Sequence, residues 1–463
     1  MSETRIAVGK PLPRIDGIDK VTGSAKYAAD IKLKNMLHAG LLRSPHAHAR
    51  VKHIDTAAAE NLPGVRAVAT IFEVPKVIEY WFSLRTEEKK KQMFLRDDVV
   101  RFIGDPVLAL AADDQATVDK ALALIKVEYE PLPALQDPFE AMAETEIKIH
   151  DRGNVAFKFE KQYGDIKEGF QRADIIIENT YRTSKQKHAA LEPFGTCVAH
   201  YQPNGKLTVY SSTQLPHWSR HYLAGALDLP LNRVRVIKPH TGGSFGGRCG
   251  LIHGLEVMCS WLSHRTGRAV RMSFSREEDF MATETRHPMT IKMKTGVAKD
   301  GTLTANEVNI VSDVGGYGTH YIGVLADCLS TGVGLYKIPN YSFKAQAVFT
   351  NKSLCGALRG YGNPQMNFAQ ESQIDIMAEK LGMDPMELRL KNYRELGEID
   401  PVLNQEIRSN GLKECLEKGA QSSGWKIKRR QKAGKGHKKR GIGLSIVLHG
   451  TGAGKALPDP AAA

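Results

Sequence analysis

Cysteine is scarce and scattered in this sequence. The 463 residues include six cysteines, and no pair of them forms a Cys-x-x-Cys motif. Zinc ribbons and iron–sulfur clusters therefore have no local set of ligands. So few thiols in so long a chain are typical of a reducing compartment, and we predict a cytoplasmic protein.

Long apolar runs are absent as well. No stretch of about 18 apolar residues is present, so no membrane span is expected. The first residues, Met-Ser-Glu-Thr-Arg, lack the apolar segment of a secretory signal. Hydrophobic residues make up 42% and charged residues 25% of the chain, which is ordinary for a globular protein of roughly two to four domains.

Positive charge exceeds negative charge, and part of the excess lies in one run. The net charge is +13, and nine of the 15 residues from Lys426 to Arg440 are Lys or Arg. The run contains no aromatic residue, whereas surfaces that bind nucleic acids usually interleave the two types. We therefore expect no nucleic acid, and interpret the run as a solvated loop or as a rim that meets an acidic partner subunit.

Alternating element signals predict mixed α and β structure. The apolar run 107–112 predicts a buried strand, and the apolar residues of 118–125 fall on one helical face. Extended structure resumes at 127–129, so this stretch predicts a β-α-β crossover.

Two helices and a strand are predicted further along. The first helix spans 364–380, ends at Gly382 and has an apolar stripe of Phe368, Ile374 and Met377. The second opens at the cap Asp384 and runs to about Asn392. The apolar run 442–448 predicts the opening of a new strand.

Three segments have residues that suit ligand binding. In 241–248, four glycines free the backbone to approach a ligand, exposed N–H groups suit anionic oxygens, and Arg248 suits a bidentate phosphate contact. In 355–364, three glycines surround Arg359 and Tyr361 before a helix N-terminus. In 211–216, Gln214 follows a predicted strand. Each segment also has a purely structural interpretation. The first can be a tight turn, the second a loop whose arginine pairs with a carboxylate, and the third a turn that Gln214 caps.

Taken together, the three segments resemble the molybdenum-binding subunit of the xanthine dehydrogenase and aldehyde oxidase family. The residues 8–30, 42–50 and 104–107 resemble its opening segment and small "hammerhead" domain, and Leu191-Glu-Pro193 resembles part of its first cofactor domain. The resemblance implies an α+β fold. It divides the chain into an α/β hammerhead domain at 1–140, a first molybdopterin-binding domain at 141–400, and at 401–463 a linker, the basic run and the start of an incomplete second molybdopterin-binding domain.

The resemblance also implies which residues form the site. In the family, the matching residues bind molybdopterin with molybdenum, and the metal is held by the pterin dithiolene without protein ligands. The matching cofactor-binding residues here are Gln214, Gly243, Ser244, Phe245, Gly246, Gly247, Arg248 and Arg359. The matching substrate-pocket residues are Tyr361, Asp327 and Cys249. No catalytic residue is expected in this chain, because the family's general-base glutamate lies in a later part of the subunit.

The implied reaction is hydroxylation of an electron-poor carbon of an N-heterocycle or an aldehyde, with water as the oxygen source. The implied cofactor is molybdopterin cytosine dinucleotide. The implied partners are the C-terminal half of the subunit, an iron–sulfur subunit and a flavin (FAD) subunit. Two alternatives stay open: a subunit of the hydroxybenzoyl-CoA reductase type, and a truncated remnant that binds no metal.

Departures from the family pattern narrow the substrate. Cys249 stands where purine-oxidising relatives often have Glu, and Asp327 stands where they often have Arg, so a purine is not expected. Gly360 stands where carbon monoxide dehydrogenases have Cys, so a copper-containing site is not expected either. Five histidines were considered as metal ligands, and their spacing matches no ligand motif except one His-x-His. We assign no metal to these residues: His46, His48, His188, His240 and His320.

Overall fold

The computed structural model describes residues 9–73, 98–249, 254–401, 404–431 and 436–450. Its strands are β1 Leu37–Arg43, β2 Ala49–Asp55, β3 Val65–Thr70, β4 Val99–Val100, β5 Pro106–Ala112, β6 Lys126–Pro131, β7 Val155–Tyr163, β8 Ile175–Arg182, β9 Thr196–Tyr201, β10 Leu207–Ser211, β11 Val234–Ile237, β12 Val270–Ser273, β13 Met289–Val297, β14 Leu303–Gly315, β15 Asn340–Phe349, β16 Ile399–Asp400 and β17 Gln405–Glu406.

The helices follow the same chain order. They are α1 Gly17–Thr22, α2 Ala57–Glu60, α3 Gln115–Leu124, α4 Pro138–Met142, α5 Ile166–Gln171, α6 Pro216–Ala226, α7 Leu255–Thr266, α8 Arg276–Ala282, α9 Tyr321–Gly334, α10 Asn363–Leu381, α11 Pro385–Asn392, α12 Leu412–Ser423 and α13 Trp425–Arg430. In the described part of the chain, none of these helices is both long and apolar enough to cross a membrane.

The chain divides into two compact units, which are each built from two separate stretches. Unit 1 comprises Met1–Leu132 and His188–Thr283, and unit 2 comprises Pro133–Lys187 and Glu284–Ala463. The division into 1–140, 141–400 and 401–463 stays a prediction. The mixed α and β architecture that the sequence predicts is confirmed.

Unit 1 is built on a seven-stranded sheet in the order β11-β10-β9-β12-β1-β5-β3, with a second sheet β4-β2-β6. All seven residues of β5 are buried, as its continuous apolar run predicts. Helix α3 begins at Asp114, whose side chain accepts a hydrogen bond from the Thr117 N–H. The helix lies close to β1 because Gly40 has no side chain: a Cβ there would lie 2.7 Å from Val118 Cγ1.

The predicted β-α-β crossover through β5, α3 and β6 is wrong. Strand β5 is antiparallel to both of its neighbours, β1 and β3, whereas β6 pairs with β2 in the other sheet. The reason lies in β6 itself, where Lys126, Glu128 and Glu130 are exposed. A strand with one charged face suits an edge and not the centre of a buried parallel sheet.

Unit 2 is built on a five-stranded sheet in the order β7-β15-β14-β13-β8. Strands β14 and β15 are parallel, and the other pairs are antiparallel. The predicted helices are confirmed as α10 and α11. Helix α10 ends at Gly382 with φ +66°, and the Asp384 side chain caps α11 by accepting from the Met386 N–H at 2.8 Å.

Phe368 does not belong to the buried stripe of α10. Its exposed fraction is 49%, whereas Ile374 and Met377 are buried. Met366, Ala369 and Ala378 are the other buried apolar residues of the helix. At about 100° per residue, Phe368 lies about 200° around the helix from Met366, so its side chain points away from the core.

The predicted strand at 442–448 is wrong as well, because the described residues 441–450 contain no strand. Ile446 is buried, but its N–H donates to the Glu371 carboxylate at 2.8 Å instead of to a neighbouring strand. Glu371 also accepts from the buried Arg389 at 2.8 Å. The segment is therefore held by Glu371 of α10, whose carboxylate is paired with Arg389 of α11.

The basic run is only partly described, since residues 432–435 lie outside the described residues, as do Val8 and 451–463. The described Lys and Arg side chains of the run are exposed. Trp425 anchors α13 by donating its Nε1–H to the Asp384 carboxylate at 3.1 Å, and Arg429 lies 5.5 Å from the indole centroid.

Candidate functional site

The loop 241–248 follows β11 in unit 1 and turns through backbone conformations that ordinary residues avoid. The φ angles are +108° at Gly243, +52° at Phe245 and +101° at Gly246. At φ values near +100°, a side chain collides with the neighbouring peptide, so glycine is required there. The glycines therefore set the path of the loop and expose its backbone.

This path leaves a row of backbone donors open. None of the described residues accepts a hydrogen bond from the N–H groups of residues 243–246. Such successive N–H groups form a concave "nest" that attracts anionic oxygens. We call the N–H groups of Gly243, Ser244, Phe245 and Gly246 the amide nest.

Gln214 lies beside the amide nest, at the turn between β10 and α6. Its N–H donates to the Arg248 carbonyl at 2.8 Å, and its Oε1 accepts from the Arg248 N–H at 3.4 Å. No described residue accepts from its Nε2 amide. Gln214 thus has one end fixed to the loop and a donor left for a ligand.

The Arg248 side chain bonds to the protein itself, and its predicted phosphate contact stays a prediction. Its side chain is completely buried. Nε donates to the Gly243 carbonyl at 2.9 Å, and the terminal nitrogens donate to the Ser212 hydroxyl and to the Glu192 carbonyl at 2.8 Å. The guanidinium also lies 4.8 Å from the centroid of the Phe194 ring. With its donors used internally, Arg248 is a positioning residue that holds the loop.

Glu192 supports the loop 241–248 together with Arg248. The sequence indicated Glu192 only as part of the family motif Leu191-Glu-Pro193. Its Oε2 accepts from the Gly242 N–H at 2.7 Å and lies 3.2 Å from the Arg248 guanidinium. Burial lowers the pKa of the Arg248 guanidinium, and Glu192 opposes that shift. The signal that would have indicated this pair is an acidic residue in an apolar stretch upstream of a buried arginine.

The remaining positions of the loop have different roles. A Cβ at Gly247 would lie 2.0 Å from the Phe194 ring, so this glycine serves close packing. The Phe245 side chain is 46% exposed. Cys249 is partly buried, and its assignment to a substrate pocket stays a prediction.

In unit 2, the loop 355–364 places Arg359 and Tyr361 on one turn. The Arg359 side chain is exposed, and its carbonyl accepts from the buried Arg286 at 2.8 Å. Tyr361 has φ +48°, and its hydroxyl lies 2.9 Å from Nδ1 of His320, at the start of α9. The hydroxyl is therefore oriented by the imidazole.

Asp327 lies on α9, two turns after His320, and is partly buried. Burial raises the pKa of its carboxyl, and His449 partly opposes the shift. Cys355 is fully buried, which raises the pKa of its thiol to about 11. A thiol so hard to ionise is unreactive.

A buried histidine makes unit 2 sensitive to pH. Burial lowers the pKa of His287 from 6.5 to about 3, and no described residue bonds its Nε2. The unfolded chain binds a proton there below pH 6.5, whereas the folded chain stays neutral, so stability falls as the pH drops from 6.5 toward 3. Between pH 7 and pH 5 we expect a loss of about 2 kcal/mol from this group.

Chemical denaturation at pH 5, 6 and 7 measures this loss. His287→Gln, which does not titrate, should show a smaller fall in the free energy of unfolding over the same range, whatever its absolute stability. Identical pH slopes for the two proteins would contradict the assignment.

The described residues contain no group of three or more His, Cys, Asp and Glu side chains that would hold a metal ion. Unit 1 thus brings together Gln214 and the glycine loop, and unit 2 brings together Arg359, Tyr361 and the start of α9. Both arrangements suit a ligand that is bound by donors and aromatic surface.

Two protein-family models match this chain. Residues 149–393 match the model of the molybdopterin cofactor-binding domain, and residues 22–133 match that of the aldehyde oxidase and xanthine dehydrogenase a/b hammerhead domain. The nicotinate dehydrogenase large molybdopterin subunit of Eubacterium barkeri is 36% identical over 90% of this chain and 96% of its own length.

Longer relatives match over most of this chain but only part of their own. The xanthine dehydrogenase molybdenum-binding subunit of Escherichia coli is 35% identical over 94% of this chain and 58% of its own length. The structure of the aldehyde oxidoreductase from Desulfovibrio gigas aligns with a TM-score of 0.83 and 30% identity over 91% of this chain and 47% of that chain. This chain therefore spans about three fifths of the first and about half of the second.

Proposed function

Because the chain belongs to the molybdopterin-binding subunits of the aldehyde oxidase and xanthine dehydrogenase family, we propose that unit 1 binds a molybdenum cofactor through the amide nest and Gln214. The observation that carries the proposal is the set of open donors. Backbone N–H groups at 243–246 and the Gln214 Nε2 amide have no acceptor in the described protein, although the loop around them is held by internal hydrogen bonds.

The chemistry of these donors suits the group. Molybdopterin and its molybdenum centre present anionic and oxo oxygens, which accept hydrogen bonds, and the pterin dithiolene holds the metal without protein ligands. When bound, the cofactor supplies two-electron oxidation of an electron-poor carbon with oxygen from water. This chain's part is to orient: the nest binds anionic oxygens, and Gln214 donates to an oxo group.

Unit 2 supplies the substrate side of the proposal. Tyr361 offers an aromatic face and a hydroxyl held by His320, and Asp327 adds a partly buried carboxyl. We assign the substrate to aldehydes or to N-heterocycles other than purines. The carboxyl of Asp327 does not pair with the oxygen of a purine as an arginine side chain would. Arg359 is assigned to the cofactor, because its exposed side chain is available to an anion.

Partners belong to the proposal as well. Two of the relatives named above are subunits, and the longer relatives extend well beyond the matched region. We infer that a polypeptide with the remainder of their length provides the general-base glutamate, and that iron–sulfur and flavin subunits receive the electrons. We assign the cytosine dinucleotide form of the cofactor. The six free thiols are the basis for a cytoplasmic location.

The test is molybdenum and pterin analysis of this chain produced alone and together with that polypeptide. About one molybdenum per chain is expected in the complex and little in the chain alone. Gln214→Leu should retain the fold, and the rate at which the complex hydroxylates a probe such as nicotinate or benzaldehyde should fall by about 100-fold or more, the scale of one lost transition-state donor. A wild-type complex without molybdenum would contradict the proposal.

A further inference from the structure

One buried arginine of unit 2 has no carboxylate partner among the described residues. Arg286 lies just before strand β13 and is 8% exposed. Its Nε donates to Oε1 of Gln186 at 3.0 Å. One terminal nitrogen donates to Oε1 of Gln365 at 3.3 Å, and the other donates to the Arg359 carbonyl at 2.8 Å. All three acceptors are neutral, so none of them cancels the positive charge.

Three other arginines with almost fully buried side chains are neutralised within the chain. Each lies 2.8–3.2 Å from a carboxylate oxygen: Arg43 with Glu278, Arg248 with Glu192, and Arg389 with Glu371. For Arg286, burial lowers the pKa of the guanidinium, and no described carboxylate opposes that shift. Arginine stays charged in proteins, and a buried charge without a partner is costly. We therefore expect an anion at Arg286.

The guanidinium of Arg286 also has donors available for such an anion. A guanidinium carries five N–H groups, one on Nε and two on each terminal nitrogen. Each of the three nitrogens makes one hydrogen bond, so one N–H group on each terminal nitrogen has no acceptor among the described residues. Two N–H groups in a planar fork fit the two oxygens of a carboxylate.

Arg286 is joined to the loop that carries Tyr361. It contacts the Arg359 carbonyl before the segment 360–364 and the Gln365 side chain directly after it. Gln365 is fixed in turn, because its Nε2 donates to the His287 carbonyl at 3.1 Å. The stretch 351–370 contains no acidic residue. The buried cation is therefore next to the turn that the proposed function assigns to the substrate.

We propose that Arg286 selects a substrate with a negative charge, namely a ring compound that carries a carboxylate, an inference that rests on the proposed function. The carboxylate accepts from the open N–H groups of Arg286 and neutralises the buried cation, while the ring lies against Tyr361. Arg359 has an exposed side chain and stays assigned to the cofactor, which leaves Arg286 for the substrate.

Benzoate and benzamide test the inference because they share a ring and differ in charge. In calorimetry on the molybdenum-loaded complex, the dissociation constant of benzoate should be at least about tenfold below that of benzamide, the scale of a hydrogen bond to a charged group. Arg286→Met removes the charge and should reduce the ratio to about threefold or less. Thermal unfolding should show that this variant folds, because its substitution leaves no carboxylate without a cation.

Two further variants make the result specific. Arg286→Lys keeps the charge without the planar fork and should retain a preference for benzoate. Arg408→Met removes an exposed arginine of the same unit and should leave the ratio of the wild type unchanged.

A loaded wild-type complex that binds benzoate no more tightly than benzamide would overturn the inference, whether or not the variants fold. An unchanged preference in Arg286→Met would overturn it too. Loss of molybdenum from that variant, with no preference in the wild type, would assign the anion to the phosphate of the cofactor instead. A wild-type complex without molybdenum contradicts the proposed function, which separates the two claims.

Discussion

Gly246→Val should empty the cofactor site while leaving unit 1 folded. Gly246 has φ +101°, which a β-branched residue adopts only at a cost of roughly 1–3 kcal/mol. The peptide would rotate to relieve that strain, and the N–H groups of the amide nest on either side of residue 246 would change direction. We expect the affinity for the cofactor to fall by at least about tenfold, which is about 1.4 kcal/mol of binding free energy.

The matched control is Gly267→Val. Gly267 also has positive φ, at +63°, and a Cβ there would meet no atom within 4 Å. It ends helix α7 in the same unit, away from the loop 241–248 in sequence. Its substitution should reduce stability by a comparable amount and leave molybdenum per chain unchanged. Molybdenum analysis and thermal unfolding of the complexes of both variants measure these two effects. Equal molybdenum contents in the two variants would contradict the assignment of the amide nest to the cofactor site.

Arg248→Met should be among the most destabilising single substitutions in unit 1. The side chain is completely buried, and its loss leaves the Glu192 carboxylate without its cation and the Gly243 and Glu192 carbonyls without the donors that Arg248 supplies. Removing one partner of a buried ion pair costs about 3–5 kcal/mol. The free energy of unfolding, measured in denaturant, should fall by that amount, and cofactor content should fall with it.

Two comparisons make this prediction specific. Adding Glu192→Gln to Arg248→Met should restore about 1 kcal/mol or more, because the unpaired buried charge is removed. Arg14→Met breaks the solvent-exposed pair with Asp16, which water and salt screen, and should lower the free energy of unfolding far less than Arg248→Met does. If Arg248→Met cost no more than Arg14→Met, the guanidinium would not be the support of the loop.

Local patterns in the sequence predicted the elements well. The apolar run of β5, the Asp384 cap of α11 and the Gly382 end of α10 are each decided by residues within a few positions of one another. Short-range sterics and side-chain capping act at that distance, so a single sequence contains the information.

Pairings between distant residues were not predictable in the same way. A strand pattern does not name its partner, so β6 was assigned to the wrong sheet and 442–448 to a strand. The direction of the Arg248 side chain depends on carbonyls about 55 residues upstream, near Glu192. The periodicity of apolar residues does not predict such contacts. The family resemblance identified the loop 241–248 but did not show which residues support it.

The amide nest itself offers the most direct measurement of the central claim. Amide hydrogen exchange at residues 243–246 should be fast in the chain without cofactor, since these N–H groups have no acceptor in the described protein. In the molybdenum-loaded complex, the same amides should become strongly protected, while the amide of the exposed Asn204, between β9 and β10, keeps its rate. Equal exchange at 243–246 in loaded and empty complexes would contradict the account.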